Sequence, residues 1–410
     1  MHLSSLTEIL GINNHKVVSI LYNNGKQIEL YLEMIDETAP SICSSCGRAH
    51  GKLHDVETVT VEDLPMSGKR VFLTFKKRKL KCDEDDTVRV EEFGWLRGRF
   101  TERYSKQVYR LTSITSNQEA GWFLHQDDEV IYRIDKNILE EKALDLLIPV
   151  PESKNIRVDE VAFQKWHKYV TNVVDVDRRQ VTWNAKNRGK DTLSIYYHSL
   201  GKAGCSKIET VAMDGARGYI SATQEHAINA VLVYDRFHIN QKLNTAIDDV
   251  RKHELRMARK NDDKELRDLI YCGERWLLLK NGNYTKNQQL KLDKLLSINE
   301  PIAKAKILKD EFLSIYKSNT PEEATAKLES WLLEADNSRL LPFKELAESF
   351  KRKFDMIINY FRKKISSAIS EGINNKIKRL KRIAYGYRDI DYFLLKIHQH
   401  CGLLDPRLST

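Results

Sequence analysis

A run of alternating strand and helix patterns between residues 156 and about 250 restricts the folds open to this 410-residue chain more than any other feature. Three apolar strand patterns come first, and a tight five-residue connection joins the second to the third. The predicted strands are 156–163, 169–175, 180–185, 208–213 and 230–234, and the predicted helices are about 189–200, about 217–227 and from about 239 onward. Antiparallel hairpins followed by parallel crossovers predict one mixed sheet with helices packed against it.

The order βββαβαβα is that of a ribonuclease-H-like sheet, so we predict an α/β core of that type. Residues 251–345 are charged, helical and free of strand patterns, which indicates an all-helical insertion. The closing helices are expected after it, at about 346–370 and 371–384. Trp276 and Trp331 are predicted to lie in the core of the insertion rather than to stack on DNA bases.

The first 150 residues predict two smaller modules. Residues 1–95 carry strand patterns separated by turn residues, at 17–22, 28–35, 56–64 and 71–82. Helix patterns at 112–123 and 127–135, with a break at 124–126, are typical of a helix-turn-helix whose second helix enters a major groove. Two packed helices without a role in DNA binding fit the same spacing.

The sequence therefore predicts a multidomain α+β protein. Its expected parts are a β-rich zinc-knuckle-like DNA-binding module (1–95), a helix-turn-helix (96–150), the first part of a ribonuclease-H-like core (155–250), a helical insertion (251–345) and the return of the core (346–400). A proline-containing linker at 149–154 separates the second part from the third.

Cys43 and Cys46 form the one close cysteine pair in the sequence, as Cys-Ser-Ser-Cys-Gly. Such a turn aims two thiolates at one tetrahedral zinc ion, and Cys82 at the end of a basic strand would add a third ligand. A fourth cysteine is missing, and the candidates to complete the set are His50, His54, Asp83 and Asp85. We consider both a structural zinc site and a degenerate knuckle that binds no metal.

Three carboxylates stand where the predicted fold can bring them together. Asp159 lies inside the apolar first strand, where a charge is costly unless a partner or a metal offsets it. Asp214 ends the fourth strand, which neighbours the first in such a sheet, and a helix packed at that edge would add Glu371. Three converging carboxylates suit two Mg²⁺ ions that act on a phosphodiester. The alternative is that Asp214 only caps the following helix.

Asp235 and His238 directly follow the fifth strand, three residues apart. They could orient a DNA strand or support the metal site through hydrogen bonds. Alternatively, Asp235 is the N-cap of a helix and His238 is a partly buried side chain.

The segment 371–382 is the basic centre of the chain. On a helix, Glu371, Asn375, Lys378 and Arg382 share one face, and Ile373, Ile377, Leu380 and Ala384 lie opposite. Residues 351–382 carry eleven Lys and Arg against two acidic side chains, and the whole chain has a net charge of +9. This window is the predicted phosphate-binding surface, and a solvated amphipathic helix with an incidental glutamate is the alternative.

Composition also bears on location and partners. A sequence pI near 9.0 favours a polyanionic partner such as nucleic acid. No apolar run reaches the roughly 20 residues that span a bilayer, and the first residues lack the pattern of a signal peptide. We expect a cytoplasmic protein without a membrane partner.

Several motifs together resemble one family. They are Arg-Val-Asp159-Glu with the following His-Lys-Tyr-Val-Thr, Met-Asp214, Tyr-Asp235-Arg-Phe-His238, Glu371-Gly-Ile-Asn-Asn-Lys-Ile-Lys, and Ala-Tyr-Gly-Tyr-Arg388. In this combination the chain resembles the ISL-three-type bacterial insertion-sequence transposases over nearly its whole length. Where that family usually has a fourth cysteine shortly after Cys82, this chain runs Asp-Glu-Asp-Asp-Thr.

The resemblance implies a DDE transposase with a ribonuclease-H-like core. Asp159, Asp214 and Glu371 would be the catalytic, metal-binding triad for two Mg²⁺ or Mn²⁺ ions, and Asp235 and His238 would support it. The candidate DNA contacts are Asn375, Lys378, Lys381, Arg382 and Arg388. The implied partners are double-stranded DNA, as terminal inverted repeats and as target, and further copies of the chain in a homodimer or higher oligomer on nucleoid DNA in a bacterium.

Three functions are compatible with these residues. The first is an active transposase that performs metal-dependent DNA cleavage and strand transfer. The second is a catalytically silent, transposase-derived DNA-binding regulator, whose mark would be the loss of an acidic residue, yet all three acids are present. The third is a structure-selective nuclease, but this function does not explain the two candidate DNA-binding modules at the N-terminus.

Overall fold

The computed structural model divides the chain into two compact units and describes residues 3–23, 25–50, 53–164, 168–271, 275–363 and 368–407. The first unit comprises Met1–Leu146, Arg379–His400 and Leu404–Thr410, and the second comprises Leu147–Lys378 and Cys401–Leu403. The boundary between them in the N-terminal half falls just before the predicted linker. The predicted domain at 346–400 is shared between the two units.

The N-terminal part of the first unit contains nine strands and four helices among its described residues. They are α1 (Leu3–Leu10), β1 (His15–Asn23), β2 (Gln27–Met34), β3 (Ser41–Ile42), β4 (Ala49–His50), β5 (Leu53–Met66), β6 (Lys69–Lys81), β7 (Val88–Val90), β8 (Leu96–Arg97), β9 (Phe100–Thr101), α2 (Glu102–Thr112), α3 (Asn117–Leu124) and α4 (Asp128–Leu146).

The remaining elements follow the linker. They are β10 (Asn155–Gln164), β11 (Lys168–Asp175), β12 (Gln180–Lys186), α5 (Lys190–Ser206), β13 (Thr210–Met213), α6 (Arg217–His226), β14 (Val231–Tyr234), α7 (Arg236–Lys260), α8 (Lys264–Ile270), α9 (Arg275–Leu279), α10 (Lys286–Ile298), α11 (Glu300–Ile315), α12 (Pro321–Asn337), α13 (Leu341–Lys351), α14 (Phe354–Lys363), α15 (Ala368–Ile383) and α16 (Ile390–Cys401).

The sheet of the first unit is built around the long hairpin of β5 and β6. Its strand order is β1-β2-β6-β5-β9-β8, with β7 paired to the C-terminal end of β6. Ser67 and Gly68 form the hairpin turn with φ values of 50° and 72°, the left-handed conformation that two-residue hairpin turns require. The four predicted strands are confirmed, and α1 packs its buried leucines, Leu6 and Leu10, against this sheet.

The helices of the first unit differ from the prediction. A single helix over 112–123 was wrong, because α2 ends at Thr112 and a new helix starts after Ser116. Ser116 and Glu119 form a reciprocal capping box that fixes this start. The predicted break at 124–126 is present one residue later, at 125–127, and it includes His125 in the left-handed region with φ 56°. Gly121 permits the tight turn, since a Cβ there would lie 2.6 Å from Gln126 O.

The second unit contains one five-stranded sheet with the order β12-β11-β10-β13-β14. The three strands β10 to β12 are antiparallel neighbours, whereas β13 and β14 run parallel to β10. Each predicted strand is confirmed to within two residues. The helix α14 covers the β14 edge, where Asn359 Nδ2 donates to Leu232 O at 2.9 Å.

All the regular elements described between β14 and α15 are helices, as predicted for the insertion. Trp331 is buried, with its ring 4.8 Å from that of Phe312, whereas Trp276 is 43% exposed and does not belong to the core. The predicted closing helices had wrong boundaries: α13 ends at Lys351, α14 is a separate short helix, and α15 begins at Ala368.

A buried polar network joins α16 to α2 and α4 in the first unit. Lys396 Nζ donates to Asp135 Oδ2 at 3.0 Å and to Thr112 O at 2.7 Å. Tyr392 Oη donates to the same Asp135 oxygen at 2.7 Å. Lys396 and Asp135 are both almost completely excluded from solvent, so each charge depends on the other.

Replacing Lys396 with alanine should destabilise the first unit by about 3 to 5 kcal/mol, because Asp135 would stay buried without a counter-charge. Urea unfolding followed by circular dichroism measures this change. The exposed Arg133→Ala on α4 is the matched control and should cost less than about 1 kcal/mol. Equal losses for the two variants would show that the buried pair contributes nothing specific.

Candidate active site and metal-binding cysteines

The parallel strands of the second unit place three aspartates in one row. The residue pairs between β10 and β13 have a constant offset of 55 residues, which puts Asp214 beside Asp159 when it is continued. The pairs between β13 and β14 have an offset of 21 residues, which puts Asp235 beside Asp214. Residues paired in this way lie on the same face of a sheet, so the backbone positions of the three aspartates lie side by side where β13 and β14 end.

Two asparagines continue this row on the antiparallel side. Asn172 on β11 is paired with Asp159, and Asn184 on β12 is paired with Asn172. Asn172 is 1% exposed, and neither its Oδ1 nor its Nδ2 has a hydrogen-bond partner among the described residues. Such a group is costly to bury, so its place next to Asp159 indicates a site that a ligand would complete.

Arg157 is the buried cation of the row. It lies two residues before Asp159 on the same strand face and is 2% exposed. Its Nη2 is 3.4 Å from Asp159 Oδ2 and forms a short hydrogen bond with Asp235 Oδ2. One guanidinium therefore compensates two buried carboxylates.

His238, in the first turn of α7, adds a second group between the same two acids. Its Nε2 lies 3.5 Å from Asp159 Oδ1 and 3.5 Å from Asp235 Oδ2. Burial alone would lower the pKa of His238, but the two carboxylates outweigh it and raise this pKa above its usual value.

The two carboxylates themselves are shifted in opposite directions. Burial alone would raise the pKa of Asp159, but the contacts with His238 and Arg157 outweigh it, and the pKa is lowered. The pKa of Asp235 is raised, because burial outweighs its interactions with the same two cations. Asp159 is thus the carboxylate of this pair that is more strongly held in the ionised form.

The local hydrogen bonds decide between the capping alternatives for the strand-end aspartates. Asp214 Oδ1 accepts from the N–H of Ala216 at 2.9 Å, but the N-cap of α6 is Ala216 itself, so Asp214 is not that cap. Asp235 is the N-cap of α7 and accepts from Phe237 N at 3.1 Å. It caps the helix and contacts Arg157 at the same time, and this cap starts α7 three residues earlier than predicted.

Helix α15 approaches the row through Asn374, whose Nδ2 donates to Asp159 Oδ2 at 2.6 Å. Glu371 lies in the same helix, three positions earlier, but its side chain lies outside the described part of the structure. Asn375, which the sequence analysis assigned to DNA, is exposed.

The exposed face of α15 agrees with the predicted pattern. Ile373, Ile377 and Leu380 are buried, while Lys378 and Arg382 are exposed. In the described part of the chain, neither of these two cations has an acidic partner within ion-pair distance. Lys381 differs from the prediction because it is half-buried, and burial lowers the pKa of its amine. Arg388, beyond the helix, is exposed.

The three cysteines of the first unit lie together. Cys43, Cys46 and Cys82 are the one group of metal-binding side chains found among the described residues, with their sulfur atoms within 4.8 Å of one another. Cys46 Sγ and Cys82 Sγ are 3.8 Å apart. Zn–S distances of about 2.3 Å in a tetrahedral site separate the sulfur atoms by about 3.8 Å, so this cluster fits a zinc ion.

Sequence reasoning missed Arg157, Asn172 and Asn374. Arg157 could have been found, because an arginine two residues before a strand aspartate shares its face. Asn172 becomes recognisable only when the register between β10 and β11 is known, and Asn374 only when the position of α15 against β10 is known.

Comparison with known proteins identifies the family. A sequence profile of DDE transposases of the ISL3 type matches residues 156–397, and a profile for the zinc finger of the transposases of IS204, IS1001, IS1096 and IS1165 matches residues 39–85. The transposase for insertion sequence element IS1001 of Bordetella parapertussis is 31% identical over 381 residues, which cover 91% of each chain. The transposase for IS1557 of Mycobacterium tuberculosis is 27% identical over 254 residues, 57% of each chain. This chain therefore belongs to the ISL3-type family of insertion-sequence transposases.

Among the described residues, no helix is both long and apolar enough to cross a bilayer.

Arg157→Met should destabilise the second unit by about 3 to 5 kcal/mol, because two buried carboxylates would lose their shared cation. Adding Asp235→Asn should recover part of this loss, giving a coupling of at least about 1 kcal/mol in a double-mutant cycle measured by urea unfolding. Arg178→Met, which removes an exposed arginine of the same unit, is the control. Strictly additive effects of Arg157→Met and Asp235→Asn would contradict the shared ion pair.

Proposed function

We propose that this chain cleaves and joins DNA at the ends of its own insertion sequence, with Asp159, Asp214 and Glu371 as the catalytic carboxylates. The observation that carries this proposal is the row of aspartates in consecutive strands, to which α15 is joined by the Asn374 bond to Asp159. Membership of a transposase family supplies the reaction class.

The strand order supports a ribonuclease-H-like core for the second unit. Three antiparallel strands followed by two parallel crossover strands, in the spatial order 3-2-1-4-5, are the arrangement of that fold. The helices α8 to α13 separate β14 from α15, as an insertion before the last catalytic residue would. Glu371 precedes Asn374 by nearly one helical turn in α15, and the Asn374 bond to Asp159 supports a position for Glu371 near the same aspartate.

The residues of the row fit divalent metal ions. Carboxylate oxygens are the ligands that Mg²⁺ and Mn²⁺ prefer, and the orphaned amide of Asn172 lies next to Asp159. Asp159, Asp214 and Glu371 would hold the ions. When bound, two such ions would activate a water or a 3′ hydroxyl and stabilise the leaving oxygen.

The other members of the row have supporting roles. Arg157 contacts both Asp159 and Asp235 and holds them in place, and His238 contacts the same two carboxylates from the α7 side. Asn172 offers a donor and an acceptor to a water molecule or a phosphate oxygen at the site.

DNA contacts are assigned to the basic face of α15 and to the zinc-finger module. Asn375, Lys378 and Arg382 face solvent, and Arg388 follows the helix. Lys381 would contribute its charge from a half-buried position. The partners are the terminal inverted repeats and the target DNA, and the joining of two ends requires at least a dimer on DNA.

The charge of α4 does not favour its insertion into a DNA groove. If α3 and α4 were a helix-turn-helix, α4 would be the recognition helix, yet it carries six acidic and three basic residues. Its packing against α2 and α16 through Asp135 gives this helix a structural purpose. We therefore retain the helix-turn-helix only as a geometric proposal for this segment.

The cysteine cluster is proposed to bind one structural zinc ion. The sulfur spacing fits a tetrahedral site, and the zinc-finger profile covers all three cysteines. Such an ion would hold the turn before β4 against the end of β6, in a module too small to bury a large core there.

Asp159→Asn should abolish Mg²⁺-dependent or Mn²⁺-dependent cleavage of a duplex that carries the element's end, by about a thousandfold or more, because a ligand charge is lost. Binding of the same duplex should change little. A gel-based cleavage assay and a binding titration measure the two quantities. Asp177→Asn, at an exposed position of the same unit, is the matched control.

Retained cleavage in Asp159→Asn would refute the assigned triad. DNA binding without any cleavage by the unsubstituted protein would instead support the alternative of a catalytically silent DNA-binding regulator.

Replacing both Lys378 and Arg382 with alanine should weaken DNA binding and lower the slope of log K against log salt by about 2, because two phosphate contacts would be lost. Fluorescence anisotropy at several salt concentrations measures this slope. The control is Lys304→Ala with Lys327→Ala, which removes two charges from the helical insertion where both are paired with glutamates. An unchanged slope in the first variant would show that this face of α15 contacts solvent and not DNA phosphates.

A further inference from the structure

Two six-residue turns of the zinc-finger module have the same backbone structure. The first runs from Cys43 to Arg48, and the second runs from Cys82 to Thr87. Cys43 N donates to Arg48 O at 2.9 Å, and Cys82 N donates to Thr87 O at 2.9 Å. Each turn is closed by an antiparallel strand pair, β3 with β4 and β6 with β7.

The backbone hydrogen bond and conformation at the fifth position are also the same in the two turns. Gly47 N donates to Cys43 O at 3.0 Å, and Asp86 N donates to Cys82 O at 3.1 Å. Gly47 has a φ of 70° and Asp86 a φ of 55°, so both turns reverse direction through the left-handed region at the same place. Aspartate tolerates that region better than most residues with a side chain.

The third position of each turn supports the leading sulfur atom. Ser45 N donates to Cys43 Sγ at 3.5 Å, and the backbone N–H groups of Glu84 and Asp85 interact favourably with the Cys82 thiolate. Backbone N–H groups directed at a cysteine sulfur orient and stabilise a metal-bound thiolate. The second turn therefore has the backbone of a metal-binding knuckle although it contains a single cysteine.

This equivalence assigns a residue to the missing ligand position. In the first turn the second ligand, Cys46, is the fourth residue, and the fourth residue of the second turn is Asp85. We propose that Asp85 is the fourth ligand of a Cys₃Asp zinc site, formed with Cys43, Cys46 and Cys82. A carboxylate oxygen is an accepted zinc ligand, and the site stays tetrahedral and closed.

The present position of Asp85 is compatible with this role. Its Oδ1 accepts from Thr87 N and Oγ1 at 3.1 Å and 2.6 Å, and its Oδ2 accepts from Arg89 Nη2 at 2.8 Å. The same Arg89 guanidinium interacts electrostatically with Cys43 and Cys82, whereas the Asp85 carboxylate is outside the group of three sulfur atoms that lie within 4.8 Å of one another. Rotation of the Asp85 side chain would replace its hydrogen bonds with Thr87 and Arg89 by a bond to the metal.

The other candidates for the fourth ligand lack this correspondence. His54 is exposed on β5, and Asp83 occupies the second position of the turn, which in the first turn is Ser44. The side chain of His50 lies outside the described part of the structure. Asp85 alone stands where the matching turn has a ligand.

The inference rests on the proposed zinc site and is tested on the full-length protein with Co²⁺ and Zn²⁺ as probes. Co²⁺ absorption reports the number of sulfur ligands, and competition with a chromophoric chelator gives the Zn²⁺ affinity. Asp85→Ala should weaken Zn²⁺ binding by at least about tenfold, the scale of losing even an indirect partner of a metal site. Asp83→Ala, a change of equal charge two positions away, should leave the affinity within about twofold.

Asp85→Cys separates the role of the position from an effect on folding. It should strengthen Zn²⁺ binding and increase the sulfur-to-cobalt charge-transfer absorption toward that of four thiolates. If Co²⁺ does not bind to the unsubstituted protein, the proposed zinc site itself fails. If Co²⁺ binds but the affinity and spectrum are the same in Asp85→Ala and Asp85→Cys, or if Asp83→Ala causes the larger loss, only the role of Asp85 is overturned.

Discussion

The second unit buries acidic side chains next to one another where its parallel strands β13 and β14 end. The rest of this unit depends on that constraint. An isolated buried carboxylate costs several kcal/mol, and here Asp159 and Asp235 are both nearly excluded from solvent. Arg157 makes this burial tolerable because a strand places residues i and i+2 on one face. The fold therefore holds these acids where α15 contacts Asp159 through Asn374.

The same arrangement gives the neighbouring acids Asp159 and Asp235 different roles. Contacts with His238 and Arg157 lower the pKa of Asp159, whereas burial raises the pKa of Asp235. The residue held more firmly in its ionised form is the proposed metal ligand, and its neighbour caps α7 and holds Arg157. Pairs of acidic groups whose environments separate their pKa values are typical of active sites. The basic face of α15 would supply charge for the DNA backbone, and the same helix contacts Asp159 through Asn374.

Much of this architecture was predictable from the sequence, because strand and helix periodicities are local properties. The strands of the second unit, the break after Leu124 and the buried face of α15 all follow from spacing. The separate start of α3 depends on the capping box at Ser116, and the exposure of Trp276 depends on how the insertion packs. The partners of Asp159 could not be predicted from spacing alone, since Asn172 and Asn374 reach it through strand register and helix docking.

Mapping the metal within the native protein tests the central claim most directly. Fe²⁺ with ascorbate, in place of Mg²⁺, produces radicals that cut the backbone close to the bound ion, and mass spectrometry locates the cuts. We expect cuts near residues 159, 214 and 371 that excess Mg²⁺ suppresses, because all three carboxylates would hold the same ions. Cuts near 159 and 214 but none near 371, or cuts that Mg²⁺ does not suppress, would contradict the convergence of α15 and the aspartate row on one metal site.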